Sequence, residues 1–210
     1  MWSRLLDAVW PSRNPVVRAE RQFRAIPLGP GDIAIDCGAN VGEITDHLAR
    51  AGATVYAFEP NPFAFEALTR RFAGRANVHC LPRAVSHAAG TARLYFHEHS
   101  GQDEVQWSTG SSLLDFKGNV LKDKFVDVDT VDLAAFITSL GARVKVLKID
   151  VEGVEVPIVR ALIDTGAIDQ VDHVFVETHE HKIPELRADT DALRALIRER
   201  GITHINLDWT

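Results

Sequence analysis

The first apolar run of the chain ends in a glycine-containing turn. Residues 33–36 form a short apolar run that is typical of a buried strand. The sequence Asp-Cys-Gly-Ala-Asn-Val-Gly follows at 36–42, before a predicted helix over 43–51. Gly38 permits a tight turn and a close approach of a ligand to the backbone, because it has no Cβ atom. Gly42 is expected to let the helix pack closely on the strand. This unit predicts a ligand site at the end of the first strand.

Two polar side chains in this turn indicate the kind of ligand. A pyrophosphate-binding turn normally reads G-x-G-x-x-G. Here Asn40 stands at the middle position, and Asp36 places a carboxylate at the strand end. An acidic residue and fewer glycines fit a cationic, phosphate-free ligand better than a dinucleotide. S-adenosylmethionine, which carries a sulfonium and an amino-acid portion, meets that description.

The second predicted strand, over 54–58, ends in a carboxylate that is followed by two prolines. Glu59 lies about 20 positions after Gly38, where an acidic residue at the tip of the second strand holds the ribose in nucleotide-binding folds. The two oxygens of a carboxylate match the two hydroxyl donors of a vicinal diol. Pro60 and Pro62 end the strand and restrict the turn. Together, the two strand ends predict a nucleoside ligand.

Acidic residues and histidines follow two later apolar runs, over 144–149 and 173–178. The residues there whose side chains could act as acids, bases or metal ligands are Asp150, Glu152, Glu155, Glu177 and His179. Neighbouring parallel strands would bring Asp150 close to Glu177 and His179 on the ligand face of the sheet. The sequence therefore predicts a second polar centre beside the nucleoside site.

Residues 98–125 are polar and weakly periodic, which predicts a lid or a substrate-binding loop without regular structure. Long segments of this kind inside a compact domain are often functional. Trp107 offers a ring that can stack on a sugar or cover a cofactor. Ser111 and Ser112 offer hydroxyl groups for hydrogen bonds. A mobile surface loop is the alternative interpretation of this segment.

Helices and strands alternate along most of the chain. Strands are predicted over 33–36, 54–58, 78–81, 91–97, 144–150, 173–178 and 203–207, and helices over 43–51, 62–73, 131–140, 154–165 and 190–200. This alternation implies parallel strands joined by right-handed crossovers. Apolar runs without a polar break fit strands that are covered on both faces. We predict a doubly wound α/β domain with a mostly parallel, Rossmann-like sheet and helices on both faces.

The composition is that of one ordinary globular domain. The chain has 210 residues, of which 46% are hydrophobic and 25% charged, and its formal net charge is -6. The basic residues are scattered, so we expect no nucleic-acid partner. No apolar stretch approaches the length of a membrane span. Cys37 and Cys80 lie in predicted strands and indicate core thiols rather than a disulfide framework, so we expect a cytoplasmic protein.

Residues 1–30 are predicted to form a helical extension that precedes the main domain at 31–210. The apolar residues at helical spacing near the start are Trp2, Leu5, Leu6, Val9 and Trp10. We expect this helix to dock on the body of the domain. The alternative is that the helix attaches to a membrane surface or to a partner. The partner could be a second copy of this chain, which would give an oligomer formed through this helix.

Several short motifs resemble those of the FkbM-type methyltransferases. They are Asp36–Gly42, Phe58-Glu59-Pro60, Arg83-Ala84-Val85-Ser86, Ser111-Ser112-Leu113 and Lys148-Ile149-Asp150-Val151-Glu152-Gly153. The similarity covers roughly residues 30–180, and the last block is the most specific because it occurs in register with the glycine turn and Glu59. The resemblance implies a class I S-adenosylmethionine-dependent methyltransferase. It also implies O-methylation of a hydroxyl group on a sugar, a polyketide or a related metabolite.

The resemblance further implies roles for individual residues. Those expected to line the methionine end of the cofactor are Asp36, Gly38, Asn40 and Gly42. Those expected around the ribose and the adenine are Glu59, Pro60, Ala84 and Val85. Ser111 and Ser112 recur in the family pattern and are expected at the site. The fold usually closes with a seventh, antiparallel strand, whereas only six main strands can be counted here.

Two mechanisms remain open for the polar centre. In the first, a carboxylate or His179 is a general base, which takes the proton of a substrate hydroxyl as its oxygen attacks the methyl group. In the second, Asp150, Glu177 and His179 bind a divalent metal that lowers the pKa of the hydroxyl. Catechol O-methyltransferases, of similar fold, use carboxylates at these strand ends in that way. We favour the metal-free mechanism, because the sequence alone reveals no full ligand set. A methionine-contacting or structural role is the alternative for Asp150.

Two other functions share parts of this pattern. An NAD-dependent oxidoreductase would use the same strand ends, but the missing G-x-G-x-x-G spacing and the Asp36 carboxylate argue against it. A non-catalytic S-adenosylmethionine-binding protein, or a subunit that scaffolds a partner, would keep the same residues. No motif names the methyl acceptor, which we expect to be a small or carbohydrate-like molecule.

Overall fold

A computed structural model of the chain describes residues 14–209. The predicted helix between Trp2 and Trp10 therefore lies outside the described residues. The strands are β1 (Ile33–Cys37), β2 (Thr54–Phe58), β3 (Val78–Leu81), β4 (Ala84–Ser86), β5 (Gly90–His97), β6 (Val120–Asp132), β7 (Val144–Ile149), β8 (Val171–Glu177) and β9 (Ile205–Trp209). The α-helices are α1 (Pro15–Ala25), α2 (Glu43–Arg50), α3 (Pro62–Arg71), α4 (Leu133–Ser139), α5 (Glu155–Thr165) and α6 (Arg187–Glu199), and short 3₁₀ helices cover Gln106–Gly110, Ala167–Gln170 and Pro184–Leu186.

Within residues 14–209, six strands form one parallel sheet in the order β3-β2-β1-β7-β8-β9. Every neighbouring pair in it is parallel, so the carboxyl ends of all six strands meet at one edge. The chain builds outward from β1 to β3 and then returns to β7 on the other side of β1. The crevice between β1 and β7 is therefore the topological switch point, where such sheets bind ligands. The predicted doubly wound architecture is confirmed.

Helices cover both faces of this sheet because its central strands are apolar on both faces. Ile35 and Leu147 pack into a core with α4, α5 and α6. Their neighbours Ala34 and Val146 point to the opposite face and pack with α1 and α2. Strands covered on both sides read as continuous apolar runs, which is why the sequence predicted them well.

Helix α1 docks on the edge of the main sheet that β9 forms. Asn14 caps it by accepting a hydrogen bond from the Val16 amide, and Pro15 occupies its first turn. The ring of Phe23 is buried and lies with its centroid 5.2 Å from that of Phe175 and 5.4 Å from that of Trp209. This part of the N-terminal extension thus contributes to the core of the domain.

A smaller sheet of β4, β6 and β5 extends from the end of β3. The predicted extra strand over 91–97 is confirmed as β5, and it pairs antiparallel with β6. Two sequence-based expectations are wrong here. Residues 120–125 belong to β6 rather than to an irregular loop, and the helix predicted over 131–140 begins only at Leu133.

The first of these errors reflects the exposure of β6, in which Lys122, Asp123 and Phe125 are exposed and only Val128 is buried. Asp127 and Asp129 are exposed, whereas Val128 between them is buried. A strand that is covered on one face alternates polar and apolar residues. The charged half of that alternation made the segment look polar and irregular in the sequence.

The far edge of the main sheet ends on β9, which pairs in parallel with β8. No antiparallel seventh strand joins the sheet among residues 14–209, in line with the count of six main strands from the sequence. No helix in that part of the chain combines the length and the apolar character that a membrane crossing requires.

Candidate active site

A cavity opens at the carboxyl ends of β1, β2 and β7. The predicted residues that line it are Gly38, Asn40, Glu59, Pro60, Ala84, Val85, Ser111 and Asp150. The predicted residues that do not line it are Asp36, Gly42, Trp107, Ser112, Glu177 and His179. The structure thus brings most of the predicted nucleoside residues together around one space.

The glycine turn is shaped by its protein neighbours as well as by the cavity. Gly38 has a φ of +79°, and a Cβ atom on it would overlap the carbonyl oxygen of Asp150 at the end of β7. Gly42 has a φ of +86°, and a Cβ atom there would collide with Leu68 and Phe72, at the end of α3. The expectation that Gly42 lets its helix pack on the strand is therefore wrong, because its missing side chain makes room for α3.

Glu59 is a buried carboxylate held by two backbone amides. Its Oε2 accepts a hydrogen bond from the Asn40 amide and its Oε1 accepts one from the Asn61 amide, both at 2.8 Å. Burial raises the pKa of Glu59 to about 7, although the two amides and the charge of Lys148 oppose that shift. A carboxylate has about four acceptor positions, so two remain for a ligand in the cavity. That vacancy fits the two hydroxyl donors of a ribose.

Asparagine side chains tie the segment after β5 to the two strand ends. Asn40 donates from Nδ2 to Ser108 Oγ at 2.8 Å, and Asn61 donates from Nδ2 to Ser111 Oγ at 3.1 Å. The short helix Gln106–Gly110 is thereby held over the cavity. Sequence reasoning missed Asn61 and Ser108. The position of Asn61 directly before a proline that opens a helix is a capping signal, whereas no local pattern marks Ser108.

Trp107 and Ser112 face protein partners instead of the cavity. The Trp107 ring stacks on His97, with 4.7 Å between the ring centroids, and lies 4.9 Å from the His99 ring. Ser112 donates from Oγ to the Glu152 carbonyl oxygen at 2.7 Å. Both residues fasten this segment to the domain, and their predicted contacts with a ligand stay predictions.

Lys148 is a buried cation at the switch point. Its Nζ lies 3.3 Å from both Asp36 Oδ1 and Asp150 Oδ2, and it donates to the Gly38 carbonyl oxygen at 2.8 Å. Burial alone would lower the pKa of Lys148, but the charges of Asp150 and Asp36 raise it above its usual value. Asp36 is fully buried and also accepts a hydrogen bond from Thr45 Oγ1 at 2.6 Å. Asp36 therefore holds Lys148 and α2 in this structure rather than lining the cavity.

The structure brings Asp150, Glu177 and His179 together, as the adjacency of β7 and β8 predicts. The imidazole Nε2 of His179 lies 3.8 Å from Asp150 Oδ1, 3.6 Å from Glu177 Oε1 and 3.3 Å from Glu152 Oε2. Its Nδ1 lies 3.0 Å from Glu155 Oε1. The His179 side chain has no solvent exposure, so the carboxylates stand between it and the cavity.

The charges around His179 reverse the effect of its burial. Burial alone would lower the pKa of His179, but contact with Glu155 and the charges of Glu155, Glu152 and Asp150 raise it. Burial raises the pKa of Glu152, although the charge of Lys117 acts to lower it. Lys117 Nζ lies 2.6 Å from Glu152 Oε2. Lys117 also donates to the Gly110 carbonyl oxygen at 2.9 Å. This buried lysine connects the segment over the cavity to the acidic cluster.

A second cavity lies on the other side of the glycine turn. It shares Gly38, Asn40, Thr109 and Asp150 with the first cavity. Lys148 and the first turn of α2 also line it. The two spaces therefore meet at Asp150, where two molecules bound side by side would come into contact.

The parallel sheet, with a cavity at its switch point, defines a Rossmann-like class of domain. Within that class, the chain belongs to the methyltransferase FkbM domain family, which it matches over residues 36–202.

Relatives of the chain carry methyltransferase names. The 31-O-demethyl-FK506 methyltransferase FkbM of Streptomyces tacrolimicus is 43% identical over 79 residues, which is 34% of this chain and 29% of that protein. Methyltransferase 1 of Beauveria bassiana is 24% identical over 87% of this chain and 76% of its own length. Methyltransferase sdnD of Sordaria araneosa is 27% identical over 88% of this chain and 78% of its own length.

Two solved structures show partial likeness to the chain. An rRNA methylase from Streptococcus thermophilus has a TM-score of 0.30 and 23% identity, covering 36% of this chain and 42% of its own. A precorrin 8w decarboxylase from Methanobacterium thermoautotrophicum has a TM-score of 0.39 and 14% identity, covering 74% of this chain and 59% of its own.

Proposed function

We propose that this chain uses S-adenosylmethionine to methylate a hydroxyl group of a small or carbohydrate-like molecule. Membership of a methyltransferase family supports methyl transfer. The observation that supports a donor with a ribose is Glu59, whose buried carboxylate keeps acceptor positions open toward the first cavity. The name of one relative, 31-O-demethyl-FK506 methyltransferase, describes methylation at an oxygen, which supports a hydroxyl as acceptor.

The residues of the first cavity fit the nucleoside part of this donor. Glu59 would accept hydrogen bonds from both ribose hydroxyls. Ala84 and Val85 are buried and offer an apolar wall for the adenine. The carboxylates of Asp150 and Glu152 line the same cavity, and their negative charge favours a cationic ligand.

When bound, S-adenosylmethionine supplies an electrophilic methyl group on a positively charged sulfur. The second cavity gives an acceptor access to the border at Asp150. Asp150 keeps 25% of its side chain exposed, so its carboxylate can orient the acceptor hydroxyl and receive its proton. The enclosed His179 acts through the carboxylates that it contacts. The hydrogen bonds of Ser108 and Ser111 hold the covering segment in place, which aligns the reactants and limits water.

Calorimetry separates this proposal from a dinucleotide-binding function. The protein is titrated with S-adenosylhomocysteine and, separately, with NAD. Saturable binding of S-adenosylhomocysteine with no binding of NAD is expected. Binding of NAD alone would refute the proposed donor.

An activity assay then tests the acceptor chemistry. Labelled S-adenosylmethionine is incubated with the protein and a panel of acceptors in matched pairs, each pair differing only in a hydroxyl or an amine. Label is expected in the hydroxyl members. Transfer to the amines alone would refute O-methylation while leaving the donor assignment intact.

A further inference from the structure

His179 is buried among carboxylates without a well-formed hydrogen bond to either ring nitrogen. Only 1% of the residue is exposed, and neither Nδ1 nor Nε2 has a hydrogen-bond partner of acceptable geometry in the described chain. Buried polar atoms in folded proteins nearly always have a partner, so an orphaned one calls for an explanation. Here the orphaned nitrogens are aimed at the carboxylates of Asp150, Glu152, Glu155 and Glu177.

The distances in this cluster match the edges of a metal coordination sphere. Nitrogen and oxygen ligands lie about 2.0–2.2 Å from a metal such as zinc. Two ligands of one such ion are therefore about 3.0–3.5 Å apart when adjacent and about 4.2 Å apart when opposite. From His179 Nε2, the nearest oxygens of Glu152, Glu177 and Asp150 lie at 3.3, 3.6 and 3.8 Å. The last two separations exceed the hydrogen-bond range but suit two ligands of one ion.

Three of these residues already converge on one point. Asp150, Glu155 and His179 each offer a ligand atom, and these atoms lie within 4.8 Å of one another. Glu155 is held in place, because its Oε1 accepts hydrogen bonds from the Val151 and Gly153 amides at 3.0 Å. Glu155 faces Nδ1, whereas Asp150 faces Nε2 together with Glu152 and Glu177. An ion on Nε2 would therefore be bound by Asp150, while Glu155 orients the ring from its other side.

The carboxylates of the described cluster outnumber its lysines by two. The acidic residues in the connected network are Asp36, Asp150, Glu152, Glu155 and Glu177. The lysines that contact them are Lys117, Lys148 and Lys182. Five carboxylates against three ammonium groups leave a deficit of two positive charges within this described network, in surroundings where unpaired charge is costly. A divalent cation with a neutral imidazole supplies that amount.

We propose that His179, through Nε2, and Asp150 bind one divalent cation beside the cofactor cavity, with Glu152 and Glu177 as further oxygen ligands and Glu155 holding the other ring nitrogen, Nδ1. Carboxylate oxygens together with one imidazole suit Mn²⁺ or Zn²⁺. Asp150 and Glu152 also line the first cavity, so the ion would stand within reach of an acceptor hydroxyl. This site goes beyond the proposed function and does not rest on it, because cation binding requires no methyl donor.

Binding of Mn²⁺ to the full chain tests the proposal directly. The protein is stripped with a chelator, exchanged into buffer with about 0.1 M KCl to screen weak surface binding, and titrated with MnCl₂. Loss of the free-ion signal in electron paramagnetic resonance counts the bound ions. His179→Gln and Asp150→Asn remove ligands, and Glu177→Gln is a third variant whose carboxylate contacts an exposed lysine. Asp172→Asn is the matched control. Asp172 lies on β8 like Glu177 but near the opposite end of that strand, where it contacts Lys145 instead of the cluster.

One equivalent of bound Mn²⁺ is expected in the native chain and in Asp172→Asn. Affinity at least tenfold weaker is expected in every ligand variant that circular dichroism shows to be folded. If His179→Gln does not fold, Asp150→Asn and Glu177→Gln decide the matter. Two results would overturn the site. The first is that neither Mn²⁺ nor Zn²⁺, the latter measured by competition with Mn²⁺, binds saturably. The second is that the folded ligand variants bind Mn²⁺ with native affinity. Titration with S-adenosylhomocysteine in the same samples keeps this outcome separate from the proposed function.

Discussion

Glu59→Gln is the most informative single substitution in the cofactor cavity. Glutamine keeps the shape of the side chain and one acceptor oxygen, but its NH₂ group would face the backbone amide of Asn40 or of Asn61. One buried donor is then left without an acceptor, and the ribose loses a charged partner. The unpaired amide lowers the stability of the free and the bound protein alike, whereas a ribose hydroxyl that loses its charged acceptor costs the bound state alone about 1–3 kcal/mol. Affinity for S-adenosylhomocysteine is therefore expected to fall about 5- to 150-fold.

The raised pKa of Glu59 adds a pH signature to this prediction. Burial raises it from 4.5 to about 7, and the ionised form is the better acceptor for a diol. With a pKa of about 7, roughly one tenth of Glu59 is ionised at pH 6 and roughly nine tenths at pH 8. Apparent affinity is thus expected to rise about tenfold between these pH values and to level off above them.

The stability of the ligand-free protein has the opposite slope. The folded state retains the Glu59 proton between pH 4.5 and about 7, whereas the unfolded state has released it. Stability contributed by this group is therefore greatest below that window and falls as the pH rises through it. Ligand binding strengthens over the same window, so the two slopes distinguish Glu59 from a group that only stabilises the fold. Both are expected to be absent in Glu59→Gln.

Isothermal titration calorimetry with S-adenosylhomocysteine at pH 6, 7 and 8 measures the binding slope. Glu66→Gln is the matched control, because that carboxylate is exposed on α3 and is expected to leave affinity unchanged. Glu152 also lines the cavity with a raised pKa, so the wild-type slope alone does not identify the group. A tenfold pH slope that persists in Glu59→Gln, or native affinity in that variant, would refute the ribose assignment.

Three stability predictions can be checked by urea unfolding followed by circular dichroism. Gly38→Ala is expected to lower the free energy of unfolding by about 2–5 kcal/mol, because its Cβ atom would overlap a carbonyl oxygen and its backbone is left-handed. The control Gly74→Ala has the same backbone conformation but open space around it, so it should lose only about 1–2 kcal/mol. Equal losses in the two variants would contradict the steric argument. Phe23→Ala is expected to cost about 3–5 kcal/mol because α1 belongs to the core, and a loss below about 1 kcal/mol would show that α1 is only loosely attached. Lys117→Met removes the nearest cation from the partly exposed Glu152 carboxylate, which keeps only its contact with His179, and should cost about 2–4 kcal/mol at neutral pH; unchanged stability would mean that this ion pair contributes nothing net.

Much of the cofactor site could be predicted from the sequence because its residues follow strand ends. An apolar run marks each buried strand, and in a parallel sheet every strand end lies on the same edge. Gly38, Asn40 and Glu59 could therefore be assigned to one site without any knowledge of their contacts. The same reasoning brought Asp150 and His179 together, since they end neighbouring strands.

The contacts that complete the site come from residues far apart in the chain. Lys148 bonds to the Gly38 carbonyl oxygen across 110 positions, and Ser108 accepts from Asn40 across 68. Local spacing carries no information about such pairs. The same holds for Gly42, whose missing side chain is required by a helix that packs against it from later in the chain.

The sequence by itself determined the parallel sheet, the location of the candidate site at the strand ends and the family. Hydrophobic periodicity and short motifs are local properties, and they decide these features. Only the tertiary structure decided which carboxylates face the cavity and which are neutralised behind it, because burial and charge pairing depend on the whole fold. It placed Asp36 under Lys148 and enclosed His179, and it left Glu59 open to a ligand.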